Sequence, residues 1–236
     1  MHNLKITFPT PTRQAVFIKR QKRFTIFAQD VLTHTKLLAH TNNTGSMLGL
    51  LKPGRKVILS LAQNKNRKLP YTLEAIHNGQ IWIGVNTAYP NQAVKLLWQA
   101  NLFEKWQNSS FQAEVFSHNT RLDACLLQGA KKLWIEAKNV TLVEDDVAYF
   151  PDAKTKRGVK HLQELIAIKK QGLEACCFYL VQREDAKCFA PADFIDSEYA
   201  NWFWKALEAK VKVMVVQCQV HLWGISLKRK LKVISL

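Results

Sequence analysis

Short runs in which apolar and polar positions alternate occupy the first third of the chain, and turn residues such as Lys52-Pro53-Gly54 and Asn78-Gly79 separate them. Alternation of this kind is typical of half-buried β-strands. A small closed barrel of about five strands, basic on its outside as in oligonucleotide-binding barrels, fits this spacing. Periodicity alone does not distinguish that barrel from other small ones. The predicted strands cover residues 15–18, 24–27, 33–38, 56–62, 71–76 and 81–85.

The pattern changes after residue 85. Pro90 is suited to the first turn of a helix, and Ala93, Val94 and Leu97 give residues 86–100 one apolar face. We therefore predict two domains, residues 1–85 and residues 86–236.

Strand-like and helix-like segments alternate in the second half. A helix over 155–171 would be closed by Gly172, and Asp196 would cap a helix that runs to about residue 210. Together the two halves predict an α+β protein, with a barrel first and a mixed α/β domain second. The predicted strands of this half are 111–116, 121–127, 132–140, 146–150, 176–181 and 212–218.

Charge is concentrated near the beginning of the chain. The 236 residues carry a formal net charge of +16, and residues 1–73 hold thirteen Lys or Arg against one acid, Asp30. A surface this basic attracts polyanions and binds phosphates by releasing counterions. Nucleic acid is therefore the predicted partner.

The five cysteines are odd in number and show no Cys-x-x-Cys spacing, which predicts free thiols in a reducing compartment. No apolar run is long enough to span a bilayer, and the first residues lack the apolar core of a signal peptide. We expect a cytoplasmic protein with no membrane partner. The oligomeric state stays open.

A hairpin is predicted around Gly129-Ala130, because a two-residue type II′ turn prefers Gly first. That turn pairs residues whose numbers sum to 259, so Asp123 would lie directly opposite Glu136. Two carboxylates directly opposite each other on a hairpin repel, and a divalent cation would offset the repulsion. A longer loop around Gly129 would shift this register.

Lys138 shares a strand face with Glu136, since side chains two apart point the same way. Asp123, Glu136 and the carbonyl of Ala137 would bind Mg²⁺ or Mn²⁺, and Lys138 would orient water or stabilise charge on a phosphoryl group. The stretch resembles the PD-(D/E)xK nuclease site, with Leu122 before the Asp in place of Pro. The alternative is an ordinary ion pair on a strand face.

The helix predicted over residues 155–171 supports this nuclease-like site. Arg157 and His161 are four residues apart and share one helix face. Arg157 could grip a phosphate and His161 could donate to it, near a helix N-terminus that favours anions. Glu114, on the strand before Asp123, is a candidate third acid. The alternative is a solvated helix face.

Six basic residues of the first domain are the predicted phosphate contacts, which would position DNA without specifying its sequence. Four aromatic residues, Phe17, Phe24, Phe27 and Tyr71, could either stack on unpaired bases or belong to the core. The six basic residues are Lys19, Arg20, Lys22, Arg23, Arg67 and Lys68.

Several segments, in order along nearly the whole chain, resemble the sugar fermentation stimulation protein A family of bacteria and archaea. They are Asn43-Thr44-Gly45-Ser46-Met47, Arg67-Lys68-Leu69-Pro70-Tyr71-Thr72, Val85-Asn86-Thr87-Ala88, Arg121-Leu122-Asp123, 136–145, 150–162, 181–183 and 189–193. One departure is Thr41-Asn42, where the family commonly has Cys-Pro.

The resemblance implies an N-terminal oligonucleotide-binding-like barrel, a C-terminal nuclease-like domain, non-specific DNA binding and a regulatory role in sugar metabolism, notably maltose use. The residues themselves lead to two compatible hypotheses, a DNA-binding protein and a Mg²⁺-dependent nuclease acting on DNA or RNA. A third class, a sugar-binding module or small-molecule enzyme, would use some of the seven Trp for stacking. Most of these Trp lie in apolar segments that predict a core.

Overall fold

The computed structural model describes residues 4–64, 66–117 and 120–235, which form three α-helices and seventeen strands. The helices are α1 Tyr89–Gln99, α2 Lys156–Lys170 and α3 Ser197–Glu208, with a 3-10 turn at Glu104–Trp106. The strands are β1 Lys5–Thr7, β2 Thr12–Gln21, β3 Thr25–Asp30, β4 Lys36–His40, β5 Lys56–Leu61, β6 Tyr71–His77, β7 Trp82–Gly84, β8 Ser110–Phe116, β9 Arg121–Gln128, β10 Lys131–Val140, β11 Leu142–Glu144, β12 Val147–Phe150, β13 Glu174–Val181, β14 Cys188–Pro191, β15 Lys212–His221, β16 Gly224–Lys230 and β17 Lys232–Val233.

The N-terminal domain is a closed barrel of five strands, β2 to β6, as predicted. Its sheet order is β4-β3-β2-β5-β6-β7, and a parallel pairing of β4 with β6 closes it at Ala39–Tyr71 and His40–Thr72. The alternating apolar positions of the strands fill its interior, including Phe17, Ile26 and Leu73.

The tip of the β2–β3 hairpin carries an unusual backbone. Lys22 and Arg23 have φ of +50° and +60°, the left-handed region that Gly and Asn adopt most readily. The turn projects Lys22, Arg23 and Phe24 away from the barrel, and Phe24 is 46% exposed.

The C-terminal domain is a mixed α/β structure, which confirms the predicted class. A seven-stranded sheet has the order β1-β16-β15-β13-β10-β9-β8, with β10, β13 and β15 parallel. Helix α1 packs on one face, and α2 and α3 pack on the other. Both faces of the central strands are therefore buried, which explains the continuous apolar run at Cys176–Val181. A second sheet has the order β11-β12-β14-β17.

Several element boundaries differ from the prediction. Strand β1 pairs with Gly224–Ser226 of β16, so residues predicted to belong to the first domain form an edge of the C-terminal sheet. Strand β4 begins at Lys36 instead of residue 33, because Asp30 Oδ1 accepts hydrogen bonds from the N–H groups of Leu32 and Thr33 and holds that segment in a turn.

Helices α2 and α3 form where they were predicted. Thr155 and Asp196 cap their N-termini by accepting from the N–H groups of Gly158 and Tyr199. In the described part of the chain, no helix has both the length and the apolar content to cross a membrane.

Candidate functional site

The hairpin between β9 and β10 brings Asp123 and Glu136 to neighbouring strands. Its pairs run from Gln128–Lys131 to Ala124–Ile135, which is the predicted register, and Gly129 has φ of +58° at the first turn position. The turn prediction is therefore confirmed.

Asp123 lies at a distortion in the sheet. Leu122 and Ala124, which strict alternation would place on one face, contribute to opposite cores, and Glu114 on the adjoining strand has φ of +52°. The β9–β10 pairing ends at Ala124–Ile135, so Asp123 does not extend it to face Glu136 as predicted. Instead Asp123 Oδ2 accepts from the N–H of Ala137 at 2.8 Å.

A second donor holds the same carboxylate. Asn91 Nδ2, on α1, donates to Asp123 Oδ1 at 2.9 Å. Burial raises the pKa of Asp123, and the nearby charge of Glu136 raises it further. The N–H of Ala137, Asn91 and Lys138 oppose that rise without cancelling it. The ionised form of Asp123 therefore lacks sufficient compensating charge.

Glu136 is 3% exposed, and its two oxygens have different surroundings. Oε1 accepts from Lys138 Nζ at 2.6 Å and contacts His161 Nδ1, whereas Oε2 has no hydrogen-bond partner. Burial alone would raise the pKa of Glu136, but Lys138 and His161 lower it below its ordinary value. Glu136 is therefore ionised, with one buried oxygen free to take a ligand.

Three side chains surround the ring of His161. Its Nδ1 contacts Glu136 Oε1 and lies 2.9 Å from Lys138 Nζ. Arg157 Nε donates to its Nε2 at 3.3 Å. His161 and Lys138 thus fix the orientation of the Glu136 carboxylate.

The residues present fit a hard divalent cation. Glu136 Oε2 has no hydrogen-bond partner, and the ionised form of Asp123 lacks compensating charge. The carbonyl of Ala137 belongs to β10, the strand that carries Glu136. The described residues contain no group of three or more His, Cys, Asp or Glu that could hold a metal by themselves. Mg²⁺ typically binds one or two carboxylates and takes its remaining ligands from water or substrate phosphates.

Both domains line the cleft around these carboxylates, which has a volume of about 710 Å³. Arg20 and Arg23 approach from the barrel, and Arg157 and His161 from α2. Burial, followed by the charge of Arg23, lowers the pKa of Arg20. An anion in the cleft would offset this repulsion between guanidinium groups.

The loop at Asn43–Met47 closes one end of the cleft by binding Asp152. The N–H of Met47 donates to Asp152 Oδ2 at 2.8 Å, and Ser46 Oγ donates to the Asp152 carbonyl at 2.5 Å. A Cβ on Gly45 would lie 2.7 Å from Asp152 Oδ1, so a side chain there would collide with the carboxylate. This contact joins the barrel to the C-terminal domain.

Asn42 also joins the domains. Its Nδ2 donates to Asn86 Oδ1 at 2.6 Å, and its Oδ1 accepts from the N–H of Thr87 at 3.0 Å. Asn86 in turn donates to the buried Glu74. A polar network that includes Asn42, Asn86 and Glu74 therefore lies at the domain boundary.

The other predicted residues lie outside the cleft. Lys22 and Lys68 are exposed, Lys19 Nζ lies 5.1 Å from the centroid of the Phe27 ring, and Glu114 is paired with Arg121 at 3.5 Å. Arg67 lines a second cavity, of about 980 Å³.

Comparison with known proteins adds the family. The model described as "SfsA N-terminal OB domain" matches residues 18–85, and "Sugar fermentation stimulation protein RE domain" matches residues 88–224. The chain belongs to the sugar fermentation stimulation protein family. The predicted resemblance and the oligonucleotide-binding type of the barrel are thereby confirmed.

Relatives cover almost the whole chain. A sugar fermentation stimulation protein homolog of Syntrophobacter fumaroxidans is 50% identical over 98% of this chain and 88% of its own, and that of Maridesulfovibrio salexigens is 47% identical over 96% and 95%. A solved structure described as Pyrococcus furiosus SfsA in complex with Ca²⁺ has a TM-score of 0.90 and 22% identity, with all of both chains covered. This structural likeness supports the fold.

Asp123→Asn is expected to stabilise the protein at pH 7 in the presence of EDTA. A raised folded-state pKa means that protonation of Asp123 contributes stability below its unfolded value of 3.8, and that this is lost as pH rises through the folded pKa. Asn stays neutral and can still accept from Ala137, while the Asn91 amide can flip to accept in turn. We expect the melting temperature to rise by about 2–4 °C, which corresponds to about 1 kcal/mol.

Differential scanning fluorimetry in EDTA measures this difference. The difference in melting temperature between Asp123→Asn and the wild type should shrink as the pH falls toward the unfolded-state pKa of Asp123. Mn²⁺ should raise the melting temperature of the wild type more than that of Asp123→Asn. A variant that melts below the wild type in EDTA at pH 7 would contradict the electrostatic account of this carboxylate.

Proposed function

We propose that this protein binds nucleic acid without sequence preference and hydrolyses its phosphodiester bonds with Mg²⁺ or Mn²⁺. The observation that supports this most directly is the free Oε2 of Glu136, buried beside Asp123 in a cleft that arginines of both domains line. Two carboxylates, a lysine and several guanidinium groups around one cavity are groups that metal-assisted hydrolysis of a phosphodiester can use.

Each residue would have a distinct part in the reaction. Asp123, Glu136 and the Ala137 carbonyl would hold the cation, which supplies Lewis-acid activation of water and phosphate when bound. Lys138 would stabilise charge that develops on the phosphoryl oxygens. Arg20, Arg23 and Arg157 would bind flanking phosphates and align the strand. The Ca²⁺ complex of the Pyrococcus furiosus relative is consistent with a divalent cation in this fold.

The second candidate is DNA binding without cleavage, in a regulatory role in sugar metabolism such as maltose use. The engagement of Glu136 Oε1 by Lys138 and His161 favours it, since these contacts balance the carboxylate charge without a metal. The names of the relatives agree with the sugar role. In either case we place the protein in the cytoplasm, in keeping with its five free cysteines.

Metal-dependent cleavage tests the proposal. Purified protein is incubated with labelled single- and double-stranded DNA and RNA in Mg²⁺, Mn²⁺ or EDTA. We expect cleavage in either metal and none in EDTA. Cleavage that continues in EDTA would refute the metal site, and binding without cleavage in any metal would support the second candidate.

Salt dependence tests the binding mode. If the six predicted basic residues each contact a phosphate, the logarithm of the affinity falls with the logarithm of the salt concentration, with a slope of about −4 for single strands and about −5.4 for duplex DNA. Titrations in EDTA with oligonucleotides of unrelated sequence should give similar affinities. An affinity that does not change with salt would exclude phosphate contacts as the basis of binding.

A further inference from the structure

Phe24, at the tip of the β2–β3 hairpin, is an exposed aromatic side chain beside the cleft. It is 46% exposed, whereas Phe17, another stacking candidate, is 2% exposed in the barrel core. Its neighbour Arg23 lines the cleft. Of these two phenylalanines, only Phe24 can offer its ring to a ligand.

The ring of Phe24 is backed by a second ring. It stacks on His40 with centroids 5.9 Å apart and planes 9° apart. Burial and the charge of Arg67 lower the pKa of His40, so the imidazole is neutral at pH 7. The two rings form a parallel pair fixed to the barrel, since His40 pairs with Thr72 where β4 meets β6.

Cationic side chains accompany this pair. Arg23, next to Phe24 in the chain, lines the cleft. Arg67, whose charge acts on His40, donates from Nη1 to Thr72 Oγ1 at 3.2 Å. Arg67 also lines the second cavity, together with Trp223, which is 41% exposed. Arg23, Phe24, His40 and Arg67 together are here called the stacking strip. Arg23 lines the cleft, and Arg67 lines the second cavity.

The hairpin tip holds its side chains outward. Lys22 and Arg23 have positive φ, as residues of hairpin turns commonly do. The turn directs both cations and the Phe24 ring away from the barrel.

We propose that the stacking strip binds single-stranded nucleic acid, with an unpaired base stacked on Phe24 and the adjacent phosphates held by Arg23 and Arg67. This deepens the proposed function by naming its substrate class, and it rests on that function for the cleavage step. Paired bases hide their faces inside a duplex, whereas every unpaired base presents a π-face to an aromatic ring. The strand would run from the second cavity to the candidate catalytic cleft.

Binding of Phe24→Ala in EDTA, where cleavage cannot interfere, tests the strip. Fluorescence anisotropy compares the binding of a single-stranded oligonucleotide, its duplex and a strand of abasic residues. Each form is tested as DNA and, where it can be made, as RNA. We expect about tenfold weaker binding of single strands by Phe24→Ala. Phe24→Trp should restore binding. Phe116→Ala is the matched control, since Phe116 is 74% exposed at the edge of the C-terminal sheet.

The outcomes separate the two proposals. The wild type should bind the abasic strand as weakly as Phe24→Ala binds the normal one, and Phe24→Ala should not distinguish the two strands. Equal binding of single strands by wild type and Phe24→Ala, or an equal loss on duplex, overturns the stacking strip alone. A wild type that binds no nucleic acid overturns the strip and the proposed function together. Single-strand stacking without metal-dependent cleavage supports the strip and refutes only the nuclease.

Discussion

We expect Asp123→Asn to cleave nucleic acid at least about a thousandfold more slowly than the wild type in Mg²⁺ or Mn²⁺. The substitution removes one of the two carboxylates that would hold the cation, and it preserves the shape of the side chain. Because the same variant is expected to be more stable than the wild type in EDTA, unfolding could not explain its loss of activity. Binding should be unchanged or tighter, since a neutral side chain repels phosphate less.

Single-turnover cleavage and anisotropy on the same preparation measure both effects. Asp193→Asn is the matched control, because Asp193 is an exposed aspartate whose Oδ1 accepts from the N–H of Phe194, a bond that Asn can also make. We expect this control to cleave normally. Normal cleavage by Asp123→Asn would show that the cleft is not the catalytic site.

The parts of the site that the sequence predicts depend on local rules. A two-residue turn with Gly first determines which residues pair across a hairpin, and the observed pairs follow that rule from Gln128–Lys131 to Ala124–Ile135. The caps of α2 and α3 follow similarly from Thr155 and Asp196. Such features need only short-range geometry, so one chain suffices to predict them.

The orientation of Asp123 could not be predicted in this way. It depends on the distortion shared with Glu114 and on Asn91, which reaches the carboxylate from a helix thirty-two positions earlier in the chain. The contact between Asp152 and the loop at residues 43–47 is likewise tertiary. Gly45 and Ser46 lie against Asp152, and this becomes visible only when both domains are in place.

The face-sharing rule for helix α2 was useful but incomplete. It predicts that Arg157 and His161 act together on phosphate, and the structure has them in contact. The ring of His161 points toward Glu136, however, which makes it a positioning residue for that carboxylate and leaves the exposed Arg157 for phosphate. The packing of α2 against the sheet, which buries His161 and leaves Arg157 exposed, distinguishes these two roles.

Lys138→Met should destabilise the protein strongly in EDTA and much less in Mn²⁺. The Lys138 side chain is 11% exposed and its Nζ lies 2.6 Å from Glu136 Oε1, so its loss leaves a buried carboxylate beside Asp123 without a cationic partner. Breaking a buried ion pair in this way costs about 3 kcal/mol, or about 6–12 °C in melting temperature for a chain of this length. A cation bound by both carboxylates would replace the missing charge.

Melting in EDTA and in Mn²⁺ measures both effects, with Lys169→Met as the matched control. Lys169 Nζ lies 3.0 Å from Glu174, whose side chain is 55% exposed, and a pair open to solvent contributes less than about 1 kcal/mol. Mn²⁺ should raise the melting temperature of Lys138→Met more than that of the wild type, because the variant has more electrostatic repulsion to relieve. If Lys138→Met melts like Lys169→Met, the buried pair carries little stability; if Mn²⁺ stabilises Lys138→Met no more than the wild type, the cation does not bind between the two carboxylates.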